Sequence, residues 1–221
     1  MLRGLFITGT GTGVGKTVTA AALMHRYRSS APLRYWKPVQ TGIEQDDDTR
    51  TVRELGGCSE NELLCKGVRL AGAVSPHLAA ERSQHRIEIA DLVSIISSEP
   101  PSTAWIVEGA GGSMVPLNDS ALIVDLMVAL RLPVVVVSRT ELGTINHTLL
   151  TLEALRARSL EIAGVVMVGI RNRSNYEAIE HFGNVAVLGE MSQIPGLSSD
   201  KLALWANSEL DSAGVMMRYF R

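Results

Sequence analysis

The residues best suited to chemistry stand near the start of the chain, in Gly9-Thr10-Gly11-Thr12-Gly13-Val14-Gly15-Lys16-Thr17. Glycines permit the backbone conformations that turn successive N–H groups inward around phosphate oxygens. The segment follows a short apolar run, Leu5-Phe6-Ile7-Thr8, and precedes a helical pattern whose positive end adds to an anion site. In such a loop the backbone of Thr12, Gly13, Val14 and Gly15 cradles phosphates. Lys16 reaches the outer phosphates, and the Thr17 hydroxyl can ligate Mg²⁺. The flanking glycine is Gly9 rather than residue 10, so the loop is one residue longer than the usual spacing. The competing reading is a plain glycine-rich turn with an exposed lysine. Strand, glycines, Gly-Lys-Thr and helix in that order favour a nucleoside triphosphate.

Three further segments carry charge where a ligand could use it. Trp105-Ile106-Val107-Glu108-Gly109-Ala110-Gly111-Gly112 reads as a strand ending in an acid and a glycine-rich turn. Ligands of open α/β sheets bind at the carboxyl ends of strands. Glu108 there can hold Mg²⁺ opposite Thr17, and Gly109, Ala110 and Gly111 leave room for phosphate; an acid beside an ordinary turn is the alternative. Tyr35-Trp36-Lys37-Pro38-Val39-Gln40-Thr41-Gly42 sets a lysine inside an apolar strand. A lysine is seldom buried without a partner, although an edge-strand lysine can lay its stem on the sheet and keep its head in water. Asp46-Asp47-Asp48 reads as a solvated loop, or its last member as a second metal ligand before a helix over 49–55. Leu142-Gly143-Thr144-Ile145-Asn146-His147 opens another helix, whose free N–H groups either bind an anion or are capped by Thr144 or Asn146.

The elements that must position these groups are legible from periodicity. Apolar runs over residues 5–8, 34–39, 105–108, 134–138, 164–168 and 185–188 read as strands, several apolar on consecutive residues as in sheets buried on both faces. Helical spacing relates Ile89, Leu92, Val93 and Ile96, then Ile123, Leu126, Met127 and Leu130, then Ile145, Leu149 and Leu152. A further helix is expected over 199–210, and Ser75-Pro76-His77 starts one more. Residues 58–74 are neither clearly helix nor strand. Alternating strands and helices predict α/β architecture in three layers, a mainly parallel β-sheet with helices on both faces, of the phosphate-loop NTPase type. One domain over residues 1–221 is expected, since Pro100-Pro101-Ser102 is too brief to be a linker.

Composition narrows the function. The 221 residues are 46% hydrophobic and 20% charged, ample for a core. With 21 basic and 23 acidic side chains, no positive excess points to nucleic acid or an anionic membrane. No apolar stretch approaches the ~18 residues of a membrane span, and the first residues lack a targeting pattern. Cys58 and Cys65 could pair, but no Cys/His set completes a zinc site. A cytoplasmic enzyme or ATPase is the expectation.

In combination these segments resemble the dethiobiotin synthetase family. The matching pieces are the loop over 9–17, Lys37-Pro38-Val39 with Thr41-Gly42, Ser75-Pro76-His77, and Val107 to Gly112 with Pro116-Leu117. They continue through Asp125 and Leu132-Pro133-Val134 to Leu142-Gly143 with Ile145-Asn146-His147, in family order from residue 4 to about residue 165. The resemblance implies that 7,8-diaminononanoate takes up CO₂ as a carbamate, that the carbamate attacks the γ-phosphate of ATP, and that the second amine closes the ring. It implies Lys37 and Lys16 as catalytic residues, Thr41 as a substrate contact, and Thr17, Asp48 and Glu108 as Mg²⁺ ligands. It also implies a homodimer in which Gly143, Thr144 and Asn146 of the neighbouring subunit receive the substrate's far carboxylate, and an adenine-side loop at Pro195, Gly196 and Leu197. The chain departs from the family after residues 164–168, where an adenine-reading Asn is usual and Val168-Gly169 stand. Asn172 is the candidate that remains. Two extra residues precede Ile194-Pro195, and Gly11 and Gly13 replace polar loop residues. A partitioning-type ATPase switch, whose extra loop lysine would fall at Gly11, and a small-molecule kinase are the competing functions. Carbamate and triphosphate repel each other, so Lys16, Lys37 and Mg²⁺ are the cations the chemistry demands.

Overall fold

The computed structural model describes residues 2–221. In chain order the elements are β1 (Arg3–Gly9), α1 (Lys16–Tyr27), β2 (Leu33–Trp36), β3 (Val39–Thr41), α2 (Asp48–Leu55), β4 (Leu63–Leu64), β5 (Val68–Leu70), α3 (Pro76–Arg82) and α4 (Ile89–Ser97). They continue with β6 (Ala104–Gly112), α5 (Ile123–Leu130), β7 (Val134–Arg139), α6 (Thr144–Arg156), β8 (Ile162–Val168), α7 (Arg173–Gly183), β9 (Val187–Met191) and α8 (Ser199–Ser208).

Seven strands form one sheet in the order β4-β2-β6-β1-β7-β8-β9, every neighbouring pair parallel. Parallel pairing places all carboxyl ends on one edge, with β1 between β6 and β7. Alternate side chains face two separate cores. Leu5 and Ile7 of β1 join Ala20 to Met24 of α1, Val52 of α2 and Leu202, Trp205 and Ala206 of α8. Phe6 joins the other face with residues of α3 to α7, among them Ala79, Leu92, Leu126, Leu152 and Ile179. The result is the expected three-layer α/β arrangement. Val134 to Val137 are fully buried, because helices cover both faces of β7.

Several local expectations change. The strand expected over 34–39 breaks after Trp36. β2 pairs with β6 and β4, whereas β3 leaves to pair with β5 in a separate two-stranded sheet. Pro38 has no N–H to give a ladder, so Lys37 lies at the break rather than inside a strand, and with 3% of its surface exposed it is no edge lysine. The glycine-rich segment after Glu108 does not turn at once. β6 continues to Gly112, which pairs with Gly9 after a register shift, and Gly111 has φ of +67° there. The last strand begins two residues late, at Val187 instead of residue 185, and runs to Met191. The unassigned stretch over 58–74 holds β4 and β5. Cys58 is buried and Cys65 exposed, both as free thiols.

The chain end is tied down by one carboxylate. Asp211 accepts from the backbone N–H groups of Val215 and Met216, each at 2.9 Å, and from the hydroxyl of Tyr27. Burial and then the Asp211 carboxylate push the Tyr27 phenol well above its ordinary pKa, so it stays a donor. Phe220 stacks on the Tyr27 ring at 4.5 Å. Asp211→Ala leaves the Met216 N–H and the Tyr27 hydroxyl buried and unpaired. We expect a loss of roughly 2–3 kcal/mol, read as a lower urea midpoint with unchanged nucleotide binding.

Candidate active site

The phosphate loop joins β1 to α1. Gly15 adopts φ of +103° at the N-cap of α1, and a Cβ there would come within 3.0 Å of the Val168 side chain from the end of β8. Gly13 takes φ of +68°. Val14 is buried beneath the loop. Lys16 arches back and donates to the Gly11 carbonyl at 2.8 Å. Burial, then the nearby Lys37 charge, lowers its ammonium pKa to about 8.

Behind the loop four side chains meet. Lys37 Nζ lies 2.5 Å from Asp48 Oδ2 and donates to Glu108 Oε1 at 2.8 Å and to the Gly109 carbonyl at 3.0 Å, so all three of its N–H groups are used. Thr17 Oγ1 lies 2.7 Å from Asp48 Oδ1 and 3.1 Å from Glu108 Oε1. The other Glu108 oxygen, Oε2, accepts from the Tyr35 hydroxyl at 2.9 Å. Glu108 comes from the middle of β6, whereas the others come from element ends: Lys37 from just past β2, Asp48 from the first turn of α2, and Thr17 from the start of α1. Asp47 caps α2 by accepting from the N–H groups of Thr49 and Arg50, which aims that first turn at the hub.

The electrostatics follow from burial set against pairing. Burial draws the Lys37 ammonium down, but Glu108 and Asp48 outweigh it and hold the pKa above the ordinary lysine value. Burial pushes Asp48 up, and Lys37 with Thr17 brings it below the usual carboxylate range. Glu108 is fully buried, and that burial raises its carboxyl. One ammonium thus serves two carboxylates, which leaves a net negative charge around a hydroxyl. Two carboxylates and a hydroxyl are hard oxygen donors of the kind Mg²⁺ takes together with phosphate oxygens, so Thr17, Asp48 and Glu108 fit such an ion.

The hub opens onto a cleft of about 720 Å³ between the phosphate loop and the segments over 37–48 and 73–76. Thr12, Gly13, Gly15, Lys16, Thr17, Lys37, Thr41, Asp48, Glu108, Ala110 and Gly111 line it. Gly109 sits just behind, where a Cβ would meet the Phe6 ring at 2.9 Å. The remaining candidates lie elsewhere. Gly143 (φ +92°) and Asn146 are exposed at the start of α6. Thr144 is not open to a ligand: its hydroxyl donates to the Arg139 carbonyl at 2.5 Å and its N–H to the Glu141 carbonyl. Asn172 caps α7, its side-chain oxygen accepting from the Asn175 N–H at 3.1 Å, and its amide nitrogen remains exposed. Pro195, Gly196 and Leu197 form the loop between β9 and α8, where the Pro195 carbonyl accepts from Lys201 at 2.7 Å. Sequence reasoning missed Tyr35, which looks like one more apolar strand residue, and Gln40, which lines the cleft beside Thr41.

Comparison with known proteins places these features. A family model described as an AAA domain matches residues 3–201. The ATP-dependent dethiobiotin synthetase of Paramagnetospirillum magneticum is 46% identical over 202 residues, covering 91% of this chain and 94% of that protein. The enzyme of the same name from Agrobacterium fabrum is 42% identical over 196 residues, 89% of each chain. Among solved structures, a ParA family ATPase from Chlorobium tepidum superposes with a TM-score of 0.60 at 11% identity, covering 93% of this chain and 98% of that one. The septum site-determining protein MinD of Pyrococcus horikoshii, complexed with Mg-ADP, gives 0.60 at 14% identity, covering 100% and 95%. The last two likenesses concern the fold alone.

The hub predicts a specific stability pattern. Lys37→Ala leaves two carboxylates facing each other without their shared cation, at a cost of roughly 3–5 kcal/mol. Millimolar Mg²⁺ without nucleotide should then raise the melting temperature of the variant more than that of the wild type. Equal responses would show that the carboxylates do not depend on Lys37.

Proposed function

The chain belongs to the ATP-dependent dethiobiotin synthetase family, and from that premise we propose how its residues close the ureido ring of dethiobiotin from 7,8-diaminononanoate, CO₂ and ATP. The observation that carries the reading is the juxtaposition of Lys37 with Asp48, Glu108 and Thr17 at the mouth of the phosphate loop. The carbamate oxygen must approach a triphosphate, and two anions come together only where cations intervene. Lys37 remains charged because its carboxylate partners hold it so. Lys16 gives up only a backbone carbonyl when it turns to the outer phosphates. Thr17, Asp48 and Glu108 would hold Mg²⁺, which would supply positive charge beside the triphosphate. The backbone of Thr12 to Gly15 holds the triphosphate, while Gly109, Ala110 and Gly111 leave the space beside it open. Thr41 supplies a hydroxyl at the substrate end of the cleft. Once phosphate is the leaving group, the second amine closes the ring within one bound molecule, and such intramolecularity removes up to roughly 7–11 kcal/mol of barrier in favourable cases.

A homodimer with the substrate site at the interface accords with the surface of α6. Leu142 is fully exposed and Leu150 largely so, four residues on either side of Asn146. Exposed leucines just before and on α6, flanking Asn146, are side chains that a partner subunit could cover. The exposed Gly143 and Asn146 would receive the substrate carboxylate of the neighbouring molecule. Thr144 contributes there only as the buried support its hydrogen bonds make it. The Pro195 to Leu197 loop is proposed on the base side of the nucleotide, with the exposed Asn172 contributing its side-chain amide nitrogen, since its backbone N–H and carbonyl already bond to Glu190 and Tyr176. No helix among the described residues is long and apolar enough to cross a membrane, which accords with a cytoplasmic enzyme acting on small molecules. The partitioning-switch alternative finds no support in the loop, since Gly11 stands where its lysine would be.

Purified protein given the diamine, bicarbonate, Mg²⁺ and ATP should form dethiobiotin and ADP; folded protein that yields no product overturns the reading. Lys37→Ala should bind nucleotide nearly as well as wild type while ring closure falls ~10²–10³-fold. Parallel loss of both would remove the catalytic role from Lys37.

A further inference from the structure

Gln40 is the second residue of β3, 5% exposed and on the wall of the cleft. Its side-chain nitrogen donates to two backbone carbonyls, that of Thr41 at 2.9 Å and that of Asp46 at 3.2 Å. Both partners are acceptors, so the orientation of the amide is fixed by chemistry: nitrogen toward the carbonyls, oxygen away from them. The oxygen, Oε1, is buried and has no hydrogen-bond partner among the described residues. A buried amide oxygen without a donor is uncommon in a folded protein; Oε1 is closed off from solvent on the cleft wall, so a ligand donor reaches it through a small shift of the Gln40 side chain.

The exposed Asp46 carboxylate and Gln45 amide also line the cleft, whereas the acceptors nearest Lys37 are spoken for. Asp48 and Glu108 are held by Lys37, Thr17 and Tyr35. The two lysines offer donors only. We infer that Gln40 Oε1 accepts an N–H from one amino group of the bound diamine, positioning that nitrogen beside Thr41. This inference rests on the function proposed above. A neutral acceptor suits the task. A primary amine that gives one N–H to an amide oxygen keeps its lone pair free for attack, whereas a carboxylate in the same place would hold the amine as an unreactive ammonium. The same side chain braces the Thr41–Asp46 loop through its nitrogen, so the acceptor role must be separated from the brace.

Substrate analogues separate them. Gln40→Met should raise KM for the diamine about five- to tenfold, the value of one uncharged hydrogen bond, with KM for ATP unchanged. Against analogues that each lack one amino group, it should weaken inhibition by the one that retains the contacted amine. It should leave the Ki of the other as in wild type. Gln40→Glu, which keeps an acceptor, should hold KM for the diamine near the wild-type value while kcat falls. Equal weakening of both analogues by Gln40→Met would show a brace only and overturn the inference, as would an unchanged KM for the diamine. Wild-type protein that makes no dethiobiotin in the same assay would instead defeat the functional reading and this inference with it.

Discussion

The site depends on one ammonium held between two carboxylates at a break in the sheet. Lys37 could not stay charged at 3% exposure without Asp48 and Glu108, and the two acids could not lie so close without it. That mutual need fixes three elements at once. β2 must end at Trp36, α2 must point its first turn inward, and β6 must deliver its acid at the carboxyl edge. Tyr35 completes the constraint by tethering Glu108 Oε2, which leaves Oε1 to Lys37 and Thr17. The carboxylate is thus divided into an anchored oxygen and a working one.

The sheet makes this meeting possible. Because all seven strands are parallel, β1 and β6 finish side by side, and the loops that leave them share one rim. The small residues of α1, Ala20 to Ala22, let that helix lie close to the sheet, which brings Thr17 to within reach of an acid 91 residues later in the chain. Asp211 does comparable work at a distance, since its bonds to Tyr27 and to the last turn close the far end of the same face. Two cores are filled from one alternating pattern, and the active edge is where that pattern gives way to glycine and charge.

Much of this was written in local patterns. The phosphate loop, most strands of consecutive apolar residues and the amphipathic helices stand near where periodicity places them, because burial on two faces leaves a strong signature. What escaped depends on contacts between segments distant in sequence. Lys37 sits in a run that reads as one strand, and only the pairing of β3 with β5 reveals that Pro38 divides it. Tyr35 carries no mark of its service to Glu108, since an apolar-looking strand residue is a core residue unless its hydroxyl finds an acid. Thr144 and Asn172 carry duties that their types alone do not announce. A helix start uses the Thr144 hydroxyl through the Arg139 carbonyl and the Asn172 amide oxygen through the Asn175 N–H, leaving the Asn172 amide nitrogen free. Polar residues near helix starts have capping as their first use.

The two lysines show how one cleft can give identical groups different duties. Lys37 has carboxylate partners and a raised pKa. It carries its charge whatever the occupant, and that charge is already spent on neighbours. Lys16 has no carboxylate within ion-pairing distance among the described residues, bonds only to a carbonyl, and is lowered to about 8. Its charge is the less secure of the two and the more available, because a phosphate offers it more than Gly11 does. Counting Lys16, Lys37, Asp48 and Glu108 together, the free site is close to neutral. An incoming triphosphate with a divalent ion therefore meets no standing repulsion, and in the function proposed above the added carbamate is the increment that Lys37 would meet. A site built with two unpaired lysines would bind phosphate more tightly in the ground state and gain nothing at the moment of transfer.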